Sequence, residues 1–261
     1  MLYGKTVAIT GVSAGIGART AEVATSLGAD VIGIDLNKPP VPMANFIQGD
    51  LSSANGVEEV ARRLPKRFDA LLNVAGISGK VGVEATLAIN FYGLRALTEA
   101  CATKIREGGS VVNVASIAGY GWRGNLARAK ALVGESGFPD ISAVVAKHGI
   151  PNEIGYPLSK ELLLLWTQMA AHQPLFKDRS VRVNAVSPGP VETQILKEFR
   201  SVLGDEKVNS DISRVGRAGT ASDIAPVILF MASDGARWIN GANISNDGGL
   251  EASINAEVLG F

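Results

Sequence analysis

Tyr156 and Lys160 are the residues whose types and spacing point to proton transfer at an oxygen atom. They stand four apart in Tyr156-Pro157-Leu158-Ser159-Lys160. Pro157 has its φ set for the first turn of a helix and no N–H to lose there. Glu161-Leu162-Leu163-Leu164-Leu165-Trp166 continues as a helix-forming, mostly apolar run. Residues four apart share a helix face, which puts phenol and ammonium side by side. A neighbouring cation favours the phenolate and lowers a tyrosine pKa from its usual value of about 10, which makes the phenol a usable general acid or base. The pair alone is a weak signal, because Y-x-x-x-K also describes a surface helix pair. Ser116 adds a hydroxyl at the carboxyl end of Ser110-Val111-Val112-Asn113-Val114-Ala115-Ser116, which reads as a buried strand. Ligand crevices of open parallel sheets lie at such ends, although a strand-end serine is otherwise a turn former. Asn90 falls inside a helix expected from about Glu84 to Lys104. Asparagine is a poor mid-helix residue, so the position predicts a polar task or a local bend.

The elements that must carry these residues alternate between strand and helix. Thr6-Val7-Ala8-Ile9-Thr10 is a short buried strand, Ala18 to Leu27 a helix, and Val31-Ile32-Gly33-Ile34-Asp35 a second strand. Between the first two lies Gly11-Val12-Ser13-Ala14-Gly15-Ile16-Gly17. Glycines there allow a tight turn and close approach of backbone to a pyrophosphate, whose charge meets the helix N-terminus. The spacing is G-x-x-x-G-x-G rather than G-x-G-x-x-G, but its place between strand and helix makes the signal strong. Asp35 closes the second strand, where it can accept hydrogen bonds from both ribose hydroxyls and would repel a 2′-phosphate. No arginine follows; Leu36 and Asn37 lead to Lys38. The reading is NAD(H) over NADP(H).

Phe46 to Leu51 reads as a third strand ending at Asp50, placed to touch adenine, and Ser52 or Ser53 as the cap of a helix through Leu64. Asp69 to Gly76 is a fourth strand running into small residues that let backbone lie against a flat ligand. Arg123 to Val133 and Asp140 to His148 look helical, broken by Gly134 to Pro139. Ser180 to Val186 is a sixth strand, Gln194 to Ser213 a polar stretch of uneven periodicity and a candidate lid, Ser222 to Ala232 a helix, and Asn243 to Asp247 a final strand. Strands alternating with helices specify an α/β fold, a doubly wound parallel sheet. No repeat or linker divides residues 1–261, so one domain is expected.

Composition removes other classes. Lys+Arg and Asp+Glu are equal at 25 each, and no basic run marks a nucleic-acid binder. No apolar stretch approaches a bilayer span. The opening Met1-Leu2-Tyr3-Gly4-Lys5 leads directly into a strand, without the pattern of a signal peptide. A cytoplasmic protein with no membrane or nucleic-acid partner is expected. Cys101 reads as a small buried hydrophobe on a helix. His148 and His172 lack ligand spacing, so no metal is expected. Trp122, soon after Ser116, is a candidate wall of a substrate pocket; Trp166 and Trp238 read as core or interface.

Taken together the motifs resemble the short-chain dehydrogenase/reductase family over essentially the whole chain. Thr10-Gly11-x-x-x-Gly15-Ile16-Gly17 is similar to its cofactor turn, Asn73-Val74-Ala75-Gly76 to its N-x-A-G, and Pro188-Gly189-Pro190-Val191-x-Thr193 to its P-G-x-x-x-T. Asn90, Ser116, Tyr156 and Lys160 match its catalytic set. The resemblance implies a Rossmann fold and hydride transfer between a nicotinamide and a substrate carbon, the partner being a small alcohol or carbonyl compound. It implies that Tyr156 exchanges a proton with the substrate oxygen and that Lys160 lowers the tyrosine pKa and holds the nicotinamide ribose. It further implies that Ser116 hydrogen-bonds the same oxygen and that Asn90 keeps a water linking Lys160 to solvent. Gly11, Ser13, Ala14, Gly15, Ile16 and Gly17 would surround the pyrophosphate, Asp35 and Leu36 the ribose, and Asp50 and Leu51 the adenine. Asn73, Ala75, Gly76, Pro188, Gly189, Val191 and Thr193 complete the implied cofactor surface, Val191 and Thr193 at the nicotinamide amide.

Ser116 and Tyr156 are 40 positions apart (156 − 116), farther than the family usually places them. The added stretch, roughly 120–153, resembles that of bacterial 3α-hydroxysteroid and coniferyl-alcohol dehydrogenases, as do Asp247-Gly248-Gly249-Leu250 and Phe261. It enters just before the Tyr156 helix, which in the family often packs against a partner subunit, so a homodimer is favoured over a homotetramer. The pocket is expected from Ile117 to Arg123, from 190–203 as part of a lid over 190–213, and from the added helices. These are apolar and aromatic, which suits a hydrophobic or aromatic alcohol. The rival readings are a non-catalytic dinucleotide-sensing protein, whose relatives tend to lose the tyrosine or lysine kept here, and a scaffold subunit that binds no nucleotide.

Overall fold

The structure is a computed structural model that describes residues Leu2–Gly260; Phe261, named above, lies outside them. Seven parallel strands form one sheet in the order β3-β2-β1-β4-β5-β6-β7. They are β1 (Thr6–Thr10), β2 (Asp30–Asp35), β3 (Asn45–Gln48), β4 (Phe68–Asn73), β5 (Ile105–Val114), β6 (Arg182–Pro188) and β7 (Asn243–Asn246). The order reverses between β1 and β4, the switch point at which crevices open in such sheets. Strands buried on both faces explain the near-continuous apolar runs that mark them in the sequence.

One face of the sheet carries α1 (Gly15–Ser26) and α11 (Ala221–Ala232), which bury Ala21, Ala24, Ile224 and Ile228 against Ile9, Leu72 and Val112. The other carries α2 (Ala54–Arg63), α4 (Leu94–Cys101) and α7 (Gly155–Ala170), packed through Val57, Leu97, Leu162 and Leu163, and the short α8 (Pro174–Lys177), which adds Phe176 to the same core. Ser53, not Ser52, caps α2 by accepting from the Gly56 N–H at 3.2 Å. Cys101 is buried at the end of α4, and burial pushes its thiol up to about 11. Trp166 is in the core, whereas Trp238 is 96 % exposed.

The helix expected over Glu84 to Lys104 is three pieces: α3 (Val83–Leu87), a π-helical turn over Ala88–Gly93, and α4. Asn90 sits in the π turn, so the local bend is real. Extra backbone in such turns re-aims side chains and often marks functional sites. β3 stops at Gln48, leaving Asp50 beyond it, and the Gly49 N–H still donates to the Asp35 carbonyl of β2 at 3.0 Å. The 194–213 stretch is two helices, α9 (Gln194–Leu203) and α10 (Asp205–Val215), broken at Gly204 with φ +84°. One window across that break mixes two helical phases, hence the uneven periodicity. A C-terminal helix, α12 (Leu250–Leu259), buries fully only Leu250 and has no apolar stripe to announce it.

Residues between Ser116 and Tyr156 form a 3₁₀ turn over Ile117–Arg123, then α5 (Leu126–Val133) and α6 (Ile141–His148). Arg95 holds this segment, donating to the carbonyls of Val133, Glu135 and Gly137 at 2.8, 2.6 and 2.5 Å. Its guanidinium lies over the rings of Phe91 and Tyr92 at 5.3 and 5.2 Å. Thus fastened, Ala129, Leu132 and Val133 join the core that buries α7. Among the described residues no helix is long and apolar enough to cross a membrane.

Gly93 fixes how closely the π turn lies on the loop after β3. A Cβ there would come within 2.0 Å of the Leu51 carbonyl oxygen. Gly93→Ala is expected to cost about 1–3 kcal/mol, as overpacking does, and to lower the urea midpoint with little change in slope.

Candidate active site

The first glycine turn is built by backbone contact. Gly11 has φ +79°, and a Cβ on it would meet Ala75 Cα and N at 2.8 Å. A Cβ on Gly17 would lie 2.0 Å from the Gly11 carbonyl oxygen. Thr10 ties this turn to the end of β4, its hydroxyl accepting from the Val74 and Ala75 N–H groups at 3.0 Å each. The turn and the Ala75-Gly76 loop thus form one rigid cradle. Asp35 faces it, accepting from Ser13 N and Asn37 N, both at 2.9 Å. A cleft of about 360 Å³ opens over this floor, from Asp35, Leu36, Asp50 and Leu51 at one end to Gly76 and Thr193 at the other.

An adjoining cavity of about 90 Å³ holds Ser116, Tyr156 and Lys160 together, with Pro188, Gly189, Val191 and Thr193 on its far side. Ser116 accepts from the Ala118 N–H at 3.1 Å and so caps the 3₁₀ turn. Gly119 in that turn lies so close to α7 that a Cβ would be 2.8 Å from the Lys160 carbonyl carbon. Lys160 is buried, and its ammonium donates to the Val114 carbonyl at 2.9 Å. Asn90 accepts from Ile77 N at 2.8 Å and donates to Ile77 O at 2.9 Å and Ser159 Oγ at 3.2 Å. It therefore clamps the loop after β4 to α7, with Gly76 between its amide and Lys160.

Some residues expected at the site lie away from both spaces. Asn73 lines neither space; it is fully buried and donates to Thr98 Oγ1 and Asn113 Oδ1, both at 2.8 Å, binding β4 to its neighbours. Ile117 to Arg123 do not line the cavity, because the 3₁₀ turn is spent on α7. Trp122 packs against the core, with the Arg123 guanidinium 4.5 Å over its ring. Lys160 Nζ is 5.7 Å from the Tyr156 ring centroid and is engaged by Val114. Burial raises the Tyr156 pKa, and its interaction with the Ser116 side chain lowers it. Burial also lowers Lys160 to about 8.

Four residues of α9 at the site carried no motif. Phe199 on α9 meets the Tyr156 ring edge-on, with centroids 4.7 Å apart. Glu198 faces the dinucleotide-sized cleft and accepts from Ser78 Oγ at 2.5 Å. The spacing of Ile195, Leu196 and Phe199, all on the cavity wall, is the helical signal that could have found this face.

Known proteins match this fold and site. The short chain dehydrogenase family model matches residues 5–127, and one described as enoyl-(acyl carrier protein) reductase matches 125–251. A coniferyl-alcohol dehydrogenase of Pseudomonas sp. (strain HR199 / DSM 7063) is 42% identical over 252 residues, covering 97% of this chain and 98% of that one. This chain is a short-chain dehydrogenase/reductase. As an oxidoreductase of that family it is also similar to the 3-alpha-hydroxysteroid dehydrogenase/carbonyl reductase of Comamonas testosteroni, 28% identical over 94% of this chain and 96% of that one. The crystal structure of the 3-alpha-hydroxysteroid dehydrogenase from Pseudomonas sp. B-0831 complexed with NADH superposes with a TM-score of 0.83 at 27% identity, covering 97% and 99%.

Burial of Lys160 gives a test of the site's electrostatics. A lysine that titrates at about 8 folded and at 10.5 unfolded binds its proton more weakly in the fold. Stability therefore rises with pH between those values, and below pH 8 the full penalty is present. Lys160→Met is expected to stabilise the dehydrogenase by up to about 3 kcal/mol at pH 7, and far less at pH 10.5. Chemical denaturation of both proteins at the two pH values checks the sign.

Proposed function

We propose that this dehydrogenase interconverts an apolar alcohol, of arylpropanoid or hydroxysteroid type, and its carbonyl compound, with NAD(H) preferred over NADP(H). The observation that carries the reading is the convergence of Ser116, Tyr156 and Lys160 on one cavity beside a dinucleotide-sized cleft. The cradle fits a dinucleotide: Gly11 and Gly17 lack the Cβ atoms that would force its turn off the Ala75-Gly76 loop and off itself, and the Asp35 carboxylate lines the cleft where it would accept from an adenosine ribose. Bound nicotinamide would supply the hydride acceptor or donor. Preference for NAD rests on the Asp35 carboxylate, which would repel a 2′-phosphate.

The chain's own residues then divide the work. The Tyr156 phenol takes the hydroxyl proton in oxidation and returns it in reduction. Ser116 hydrogen-bonds the same oxygen and favours the phenolate, as its effect on the Tyr156 pKa indicates. Lys160, held by Val114, would donate to a ribose hydroxyl of the nicotinamide half. Asn90 serves as a positioning residue, since its contacts run to Ile77 and Ser159. The likeness to the coniferyl-alcohol and hydroxysteroid enzymes, together with an apolar wall of Ile195, Leu196 and Phe199, supports an apolar substrate. We read 120–153 as an insertion and 190–213 as a lid. Because α5 covers α7, a homodimer through another surface fits better than a tetramer through this helix.

Tyr156→Phe is expected to lower kcat at least a thousandfold while leaving NADH affinity largely intact, since only a proton donor is lost. Steady-state kinetics and NADH fluorescence titration test this. Alcohol oxidation by the wild-type enzyme should quicken as pH rises from neutral, because burial holds the phenol protonated, and reduction should slow. Asp35→Ala should reduce the preference for NAD over NADP about tenfold or more; an unchanged ratio of kcat/KM values would remove Asp35 from the ribose site.

A further inference from the structure

Residues 192–218 leave the body of the fold and return to it at a pinned base, and Arg214 near their end ties α10 to α12 through Glu257 at 2.6 Å and Ser253 at 3.3 Å. Val191 and Gly219 form an isolated parallel bridge, with Glu192 N donating to Gly219 O and Gly219 N to Pro190 O, both at 2.8 Å. Beyond that base, Arg200 joins the two helices of the excursion, donating to Asp205 at 2.9 Å and Asn209 at 2.8 Å. Gly204 and Gly216, both with φ +84°, provide places for it to bend. Two contacts from consecutive residues set α9 across the site: Glu198 with Ser78, and Phe199 with the Tyr156 ring. Ser78 is buried, in the loop whose Gly79 already lies against Tyr156.

With α9 so placed, the Phe199 ring stands edge-on against the Tyr156 ring, on the wall of the cavity that reaches Ser116. Resting on the function proposed above, we infer that Phe199 is the specificity-determining residue of the substrate cavity, restricting it to single-ring aryl alcohols. The Ser78–Glu198 hydrogen bond is the latch that holds it in place. Because the two residues are adjacent on one helix, breaking the latch and uncovering the tyrosine are one motion. A fused-ring alcohol reaching Tyr156 would need the space that the Phe199 ring fills.

The latch is tested first on the protein without nucleotide. Ser78→Ala removes the donor, and Glu198→Gln keeps an acceptor but removes the charge. Amide hydrogen exchange over residues 194–200 is expected to quicken about tenfold in Ser78→Ala and less in Glu198→Gln, as loss of one charged hydrogen bond implies. Exchange in α11 should not change. NADH release, followed by stopped-flow fluorescence, should quicken by a similar factor. Unchanged exchange over 194–200 would overturn the latch whatever the enzyme binds. Failure of wild-type enzyme to bind NADH would instead overturn the functional reading. For the gate, Phe199→Ala is expected to raise kcat/KM for a 3-hydroxysteroid relative to cinnamyl alcohol about tenfold or more. An unchanged ratio, in a variant that still turns over cinnamyl alcohol, would show that another wall sets the size.

Discussion

The site depends on an ammonium group held out of water by a single carbonyl. Lys160 Nζ donates to Val114 O at the end of β5, and burial costs it much of its basicity. A cation in that position demands that α7 stay fixed against the sheet, since a small opening would hydrate the group and lose the placement. The surroundings are arranged accordingly. Gly119 lets the 3₁₀ turn lie on the backbone of α7 at the lysine itself. Asn90, aimed inward by the π turn, grips α7 through Ser159. The outer face of α7, which would otherwise present leucines to solvent, is covered by the segment that Arg95 fastens down.

That arrangement explains why the segment between Ser116 and Tyr156 can be long without loosening the pair. Ser116 and Tyr156 are placed by the end of β5 and the start of α7, both rigid. The chain between them has only to return to its starting point, and the entropic cost of a longer return grows slowly with length. The extra residues also do structural work by supplying Ala129, Leu132 and Val133 to the core.

The strands and most helices were legible in the sequence, because a sheet buried on both faces leaves continuous apolar runs and its crevice leaves glycines and an acid at fixed places. Tyr156, Ser116 and Asp35 could be placed for the same reason, each sitting at or just beyond the end of an element whose limits the pattern marks, and Lys160 follows one turn after Tyr156. What stayed hidden depends on tertiary direction. Asn73 sits in a motif next to cofactor-facing residues, but its side chain points to the face of the sheet that α4 covers, where it meets Thr98, because strand neighbours alternate sides. Trp122 follows a site residue closely and still turns away, since the 3₁₀ turn is committed to α7. The spacing Y-x-x-x-K supplies the neighbour but not the solvent: burial, which no spacing reports, raises the phenol, and the Ser116 side chain opposes it. Phe199 and Glu198 had no motif because their partners, Tyr156 and Ser78, are far away in the chain.

One feature of the core has a practical side. Cys101 is the chain's one sulfhydryl, fully buried at the end of α4, with a pKa pushed up to about 11. Thiolate is the reactive species, so alkylating reagents at neutral pH should leave the native protein unmodified. A cysteine introduced on the solvent side of α9 would then be the sole point of attachment for a dye, with no background to remove.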